Sequence, residues 1–128
     1  MRTDQLAEAI CDLAADKKAT DVVELDLRGV IDYTDYFVIC SGTSDRQVKA
    51  ISDAILAGLK AEHDVRPQRV DGLTQARWVL MDYLDVIVHI FVPEVREYYA
   101  LERLWGEVPR RAVVGEASSR PASTVARR

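Results

Sequence analysis

The sequence predicts a mixed α/β domain, with helices packed on a five-stranded mixed sheet in the order α-β-β-α-β-β-β-α. Three observations predict it. Apolar residues recur at helical spacing in two separate segments, Leu6 to Ala14 and Val48 to Leu59. They alternate with polar residues from Val22 to Leu27, the mark of a half-buried strand. Tyr36 to Cys40 is apolar without interruption, as in a strand covered on both faces. At 128 residues the chain is the size of one domain.

The first helix is expected from about Thr3 to Lys17. Leu6, Ile10, Leu13 and Ala14 form one stripe, Thr3 or Asp4 can cap the start, and Lys17 and Lys18 suit the negative end of the helix dipole. A strand follows at Asp21 to Leu27, with Val23, Leu25 and Leu27 on one face. Arg28 to Asp35, which holds Gly29, Asp32 and Thr34, reads as a connector. Beyond the apolar strand, Ser44 and Gln47 have capping-box spacing. Val48, Ile51, Ile55 and Leu59 carry a second helix to Glu62 or His63. Arg66 to Val70 is a short strand that Pro67 assigns to an edge. Trp78 to Met81 and Asp85 to Val92 read as antiparallel strands joined at Asp82-Tyr83-Leu84-Asp85. Pro93 opens a third helix that runs to about Trp105, with Tyr98, Leu101 and Trp105 on one face and Gly106 just past its end. From Pro109 onward Ala, Ser, Val, Pro and Arg follow without a period, as in a disordered tail.

The net charge is −4, unevenly spread. Residues 109–128 hold five arginines and one acid, a surplus of four positive charges, which leaves residues 1–108 eight negative. An acidic body is unsuited to wrapping nucleic acid but suits a basic protein partner. Cys11 and Cys40 sit in apolar patterns and read as reduced and buried. No apolar stretch is long enough to span a membrane. Asp4 and Glu8 interrupt the region where a signal peptide would be apolar, so a cytoplasmic location is expected.

Ser41-Gly42-Thr43-Ser44, between an apolar strand and a helix, is the kind of loop that cradles phosphate. It matches no phosphate-binding fingerprint. A nucleotidyl-transfer site would also need two carboxylates, one residue apart on the next strand, to hold Mg²⁺. The strand expected there, Arg66 to Val70, has none. The loop therefore reads as a capped helix start. The alternative is a nucleotidyltransferase-like enzyme using Gly42 to Ser44 with distant acids such as Asp82 and Asp85. A Cys40–His89 pair is conceivable if their strands adjoin, but nothing nearby would activate a buried thiol. Neither His63 nor His89 belongs to a cluster that would ligate zinc. No catalytic residue, metal or cofactor is expected.

The other notable stretch is "RWVLMDYLDVIVHIF", Arg77 to Phe91. Alternation puts Trp78, Leu80 and Asp82 on one face of their strand and Val79 and Met81 on the other. The helices can cover only part of the sheet. One patch carrying Trp, aliphatics, Asp and Tyr is left for solvent, the composition of a binding hot spot. Whether Trp78 belongs to that patch or to the core stays open at this level.

"DYFVICSGTSDRQVKAI" (Asp35 to Ile51), "WVLMDYLDVIVHIF" (Trp78 to Phe91) and "REYYALERLW" (Arg96 to Trp105) together resemble the Iojap/ribosomal silencing factor family, RsfS. The resemblance implies a domain over residues 1–108, followed by the basic tail at 109–128. It implies a fold similar to nucleotidyltransferases without their catalytic acids. It further implies a ribosomal silencing factor that binds the large-subunit protein uL14, sterically blocks association of the 50S and 30S subunits, and represses translation under nutrient limitation. Carried onto this chain, the uL14-facing surface comprises Trp78, Leu80, Met81, Asp82 and Tyr83, with His89 and Tyr98 as further contacts. Contact of the tail with nearby rRNA and a homodimer of the free protein are compatible with it. One position departs from the family's Asp-Tyr-Gly-Asp turn: residue 84 is Leu. If the turn needs positive φ, Leu84 costs roughly 1–2 kcal/mol there.

Overall fold

The computed structural model describes residues 1–114. Helix α1 (Thr3–Asp16) leads to strands β1 (Thr20–Asp26) and β2 (Tyr36–Ser41), then to helix α2 (Asp45–His63). Strands β3 (Arg69–Asp71), β4 (Trp78–Asp82) and β5 (Val86–Phe91) follow, then short helices α3 (Pro93–Tyr99) and α4 (Leu101–Leu104), and strand β6 (Arg110–Val114). The strands form one mixed sheet in the order β3-β4-β5-β2-β1-β6. β2 and β5 run parallel, and the other pairings are antiparallel.

Every residue of β2 and of β5 is buried, as their apolar runs require of central strands. One face of the sheet lies under α1 and α2. Leu6, Ile10, Ala14, Val48, Ile51, Ile55 and Leu59 bury there against Val38, Cys40, Val79, Met81, Val88 and Ile90. The opposite face carries a second cluster, Leu25, Leu27, Phe37, Ile39, Ile87 and Phe91, with Val95, Leu101, Trp105 and Val108 packed against it. At α2 half of the expected capping box forms: Ser44 Oγ accepts the Gln47 N–H at 3.2 Å, while the Gln47 side chain accepts the N–H of Thr43 rather than that of Ser44. At α1 the cap residue is Arg2 rather than Thr3 or Asp4, and the Gln5 side chain accepts the Arg2 N–H at 2.9 Å.

Three expectations are corrected. The sheet has six strands among the described residues, not five, because Arg110–Val114 pairs antiparallel with β1. The tail expected from residue 109 therefore does not begin there; its remainder, 115–128, lies outside the described residues. The cause is the open edge of β1. Asp26 N–H donates to Pro109 O at 2.9 Å, and Arg111 meets Glu24 at 2.8 Å. Composition without periodicity hid a strand that an existing edge could template.

Second, the helix expected from Pro93 to Trp105 is broken at Ala100, which adopts a left-handed conformation (φ 46°, ψ 49°). The break turns the chain so that Glu102 meets Arg96, Nη2 to Oε2 2.6 Å apart. Arg96 also donates to Asp21 O and Ser41 Oγ, each at 2.9 Å, tying the strap to β1 and β2. Third, the edge strand covers Arg69–Asp71 rather than Arg66 to Val70. Gly72 follows it at φ +91°, where a Cβ would lie 2.1 Å from Trp78 O. Only glycine fits this close passage, which fixes where β4 and Trp78 begin.

Candidate partner interface

The Ser41–Ser44 loop is closed by its own residues. Gly42 N–H donates to Phe91 O at 2.9 Å, Thr43 N–H to Gln47 Oε1 at 2.6 Å, and Gln47 N–H to Ser44 Oγ at 3.2 Å. Gln47 Nε2 reaches Lys17 O and Lys18 O, which locks the loop onto the end of α1. Three donors that would hold a phosphate are thus already satisfied. The acids of the enzymatic reading are remote. Asp85 precedes β5, Ser41 ends β2, and these strands are parallel and in register from Tyr36–Val86 to Ser41–Phe91. The loop and the acids sit at opposite ends of the sheet, roughly 17 Å apart at about 3.3 Å per residue. Asp71 does lie on β3, but at the sheet's far edge and paired with Arg69 at 3.0 Å. Among the described residues no group of three or more His, Cys, Asp or Glu is placed to hold a metal. Cys40 packs in the cluster under the helices while His89 lies against Phe37 and Phe91 on the opposite face of the sheet, and burial pushes the Cys40 thiol up to about 12.

The second face gathers most of the proposed contacts. The register aligns Trp78 with Phe91, Leu80 with His89, and Asp82 with Ile87. Trp78, Leu80 and Asp82 are each half-buried, so the outer part of this row stays accessible. The Trp78 ring lies 5.0 Å from Phe91 and 4.9 Å from Tyr99, centroid to centroid. Tyr99 in turn meets Tyr98 edge to face at 4.9 Å, and Tyr98 is 81% exposed. A cavity of about 480 Å³, lined by Gly72, Gln75, Arg77, Trp78 and Tyr99 among others, opens beside the indole. Tyr99, half-exposed on Trp78, was missed in the sequence; the Tyr98-Tyr99 doublet after Pro93 was the available signal.

Met81 and Tyr83 do not join this row. Met81 has no exposed surface and Tyr83 is 6% exposed, both in the cluster under the helices. Strict alternation sends Met81 to the face opposite Trp78 and Leu80. Burial pushes the Tyr83 hydroxyl up to about 12, and its oxygen has no hydrogen-bond partner among the described residues. His89 is also buried, at 4% exposure, but on the second face, where its Nδ1 accepts the Trp78 Nε1–H at 3.1 Å.

Asp82 serves the turn before it serves any partner: its Oδ1 accepts the Leu84 N–H at 2.8 Å. Leu84 stands at φ +76° and is 54% exposed. The turn thus has the conformation that favours glycine, and the leucine bears the strain. Leu84→Gly should raise the unfolding free energy by up to about 1.5 kcal/mol. It relieves roughly 1–2 kcal/mol of strain and loses roughly 0.5–1 kcal/mol to the freer unfolded chain. Urea titration checks this; a drop in stability would mean that contacts of Leu84 outweigh its strain.

A family profile described as "Ribosomal silencing factor during starvation" matches residues 1–128. The chain is 44% identical over 105 residues to the ribosomal silencing factor RsfS of Bacillus subtilis (strain 168), covering 82% of this chain and 86% of that one. It is 32% identical over 101 residues to the mouse "Mitochondrial assembly of ribosomal large subunit protein 1", covering 77% of this chain and 44% of that protein. A crystal structure of a Chromobacterium violaceum protein superposes with a TM-score of 0.80 at 32% identity, over 91% of this chain and 97% of that one.

Proposed function

This chain belongs to the ribosomal silencing factor family, RsfS, and from that premise we propose that it is a non-enzymatic anti-association factor acting in the cytoplasm. It binds protein uL14 of the 50S subunit through the Trp78–Leu80–Asp82 row and its Tyr98–Tyr99 rim. Bound there, it bars the 30S subunit and lowers translation when nutrients are scarce. The names of the relatives support a ribosome-associated role, and the mouse protein's name refers to the large subunit. The observation that carries the reading is the half-buried Trp78, set among aromatic rings at the border of the second cluster with part of its indole accessible. Such an anchor, apolar with a polar rim, is the usual centre of a binding hot spot. The acidic body favours encounter with a basic ribosomal protein. Oδ2 of Asp82, without a hydrogen bond among the described residues, is the carboxylate oxygen left for a Lys or Arg of the partner, since Oδ1 holds the turn.

Trp78→Ala should weaken capture of 50S subunits at least about tenfold, the loss expected for a hot-spot aromatic. Circular dichroism and urea titration would establish that the variant is folded, because the indole also packs on Phe91. Equal capture by the wild type and a folded variant sinks the assignment of this row. Exposed Tyr98, Tyr99 and Leu104 give a free chain a use for the same face in self-association. Light scattering over a dilution series, with and without uL14, reads that competition.

A further inference from the structure

We propose that His89 is a positioning residue for Trp78: its neutral imidazole holds the indole in the orientation that the partner meets, without touching the partner. The inference rests on the reading of Trp78 as a partner contact. His89 is 4% exposed, so it offers a partner almost no surface. Its Nδ1 accepts the Trp78 Nε1–H at 3.1 Å, and a bond to that nitrogen restrains both side-chain torsions of the tryptophan. The imidazole is itself held. Phe37 lies edge-on at 4.7 Å and Phe91 stacks at 6.1 Å, while the register sets Leu80 and Ile39 on either side.

The unmet side of the ring strengthens the case. With Nδ1 accepting, the neutral ring carries its proton on Nε2, and buried Nε2 has no hydrogen-bond partner among the described residues. A histidine that leaves a donor orphaned in an apolar cluster lowers stability, and an apolar ring of the same size would pack there without that penalty. The local rule is broken for one visible return, the acceptor at Nδ1.

Three variants test this. His89→Phe keeps a ring of similar volume and removes the acceptor. His89→Asn returns an acceptor near the Nδ1 position. Trp78→Phe removes the N–H altogether. In full-length protein, His89→Phe is expected to weaken binding of isolated 50S subunits about fivefold, the equivalent of one hydrogen bond. His89→Asn should recover most of that loss. His89→Phe placed in a Trp78→Phe background should change nothing further. The Trp78 indole cross-peak in a ¹H–¹⁵N spectrum, separated from that of Trp105 by a Trp105→Phe variant, should shift in His89→Phe and return toward its original position in His89→Asn. Wild-type binding by His89→Phe, alongside weakened binding by Trp78→Ala, overturns the positioning role and leaves the Trp78 assignment standing. Weakening that His89→Asn does not relieve, or that persists in the Trp78→Phe background, overturns it as well. Unchanged binding by Trp78→Ala removes the reading on which both depend.

Discussion

Arg96→Met should lower the unfolding free energy by about 2–3 kcal/mol, somewhat less than the roughly 3–5 kcal/mol lost when one member of a fully buried ion pair is deleted. The Arg96 side chain is 12% exposed and that of Glu102 is 20% exposed, with 2.6 Å between them. The guanidinium also satisfies Asp21 O and Ser41 Oγ. Methionine supplies the volume and none of the donors, so a carboxylate, a carbonyl and a hydroxyl are left short of partners in a partly closed site. The damage should spread along the strap. Glu102 lies in α4, and the chain just beyond places Trp105 edge-on to Phe37 at 5.2 Å. Near-ultraviolet circular dichroism should therefore lose aromatic signal together with the shift in urea midpoint. Glu102→Gln, which keeps a neutral acceptor, should cost less than half as much. A loss below about 1 kcal/mol in Arg96→Met would identify the pair as an ordinary solvated surface bridge.

Stability should also fall on acidification through His89. Burial depresses the imidazole to about 4, against roughly 6.5 in an unfolded chain. The folded state thus refuses a proton that the unfolded state accepts. The sign follows: the His89 contribution is fully present above about pH 6.5, declines as the pH falls, and is gone near pH 4. Over that window the loss amounts to about 3 kcal/mol, at roughly 1.4 kcal/mol per pH unit. Carboxylates begin to titrate at the lower end, so the comparison that isolates the effect is wild type against His89→Phe. Between pH 7 and 4.5, read also at pH 5.5, the urea midpoint of the wild type should fall further than that of His89→Phe, so the difference between them moves steadily in favour of the variant. Parallel curves would show that His89 protonates freely in the folded chain.

Much of the fold was legible because its determinants are local. The stripe Val48, Ile51, Ile55, Leu59 and the Ser44 cap define a helix whatever surrounds them. The uninterrupted Tyr36–Cys40 run demands cover on both faces, and it received it. Alternation in β4 separated Trp78, Leu80 and Asp82 from Val79 and Met81 correctly, yet the motif taken as a unit still placed Met81 and Tyr83 on the partner side. There the period of two is the better guide.

The sequence by itself determined helices α1 and α2 and the central strands, since each depends on residues a few positions apart. Only the tertiary structure decided that Arg110–Val114 becomes a strand, that the last helix breaks at Ala100, and that His89 accepts the Trp78 indole N–H. Those outcomes turn on partners far away in the chain: a vacant edge on β1, the Arg96–Glu102 pair braced on Ser41, and two strands in register. Short-range propensity is weak enough to be overruled by a hydrogen-bonding edge or a buried charge, and neither can be seen until the chain has folded back on itself.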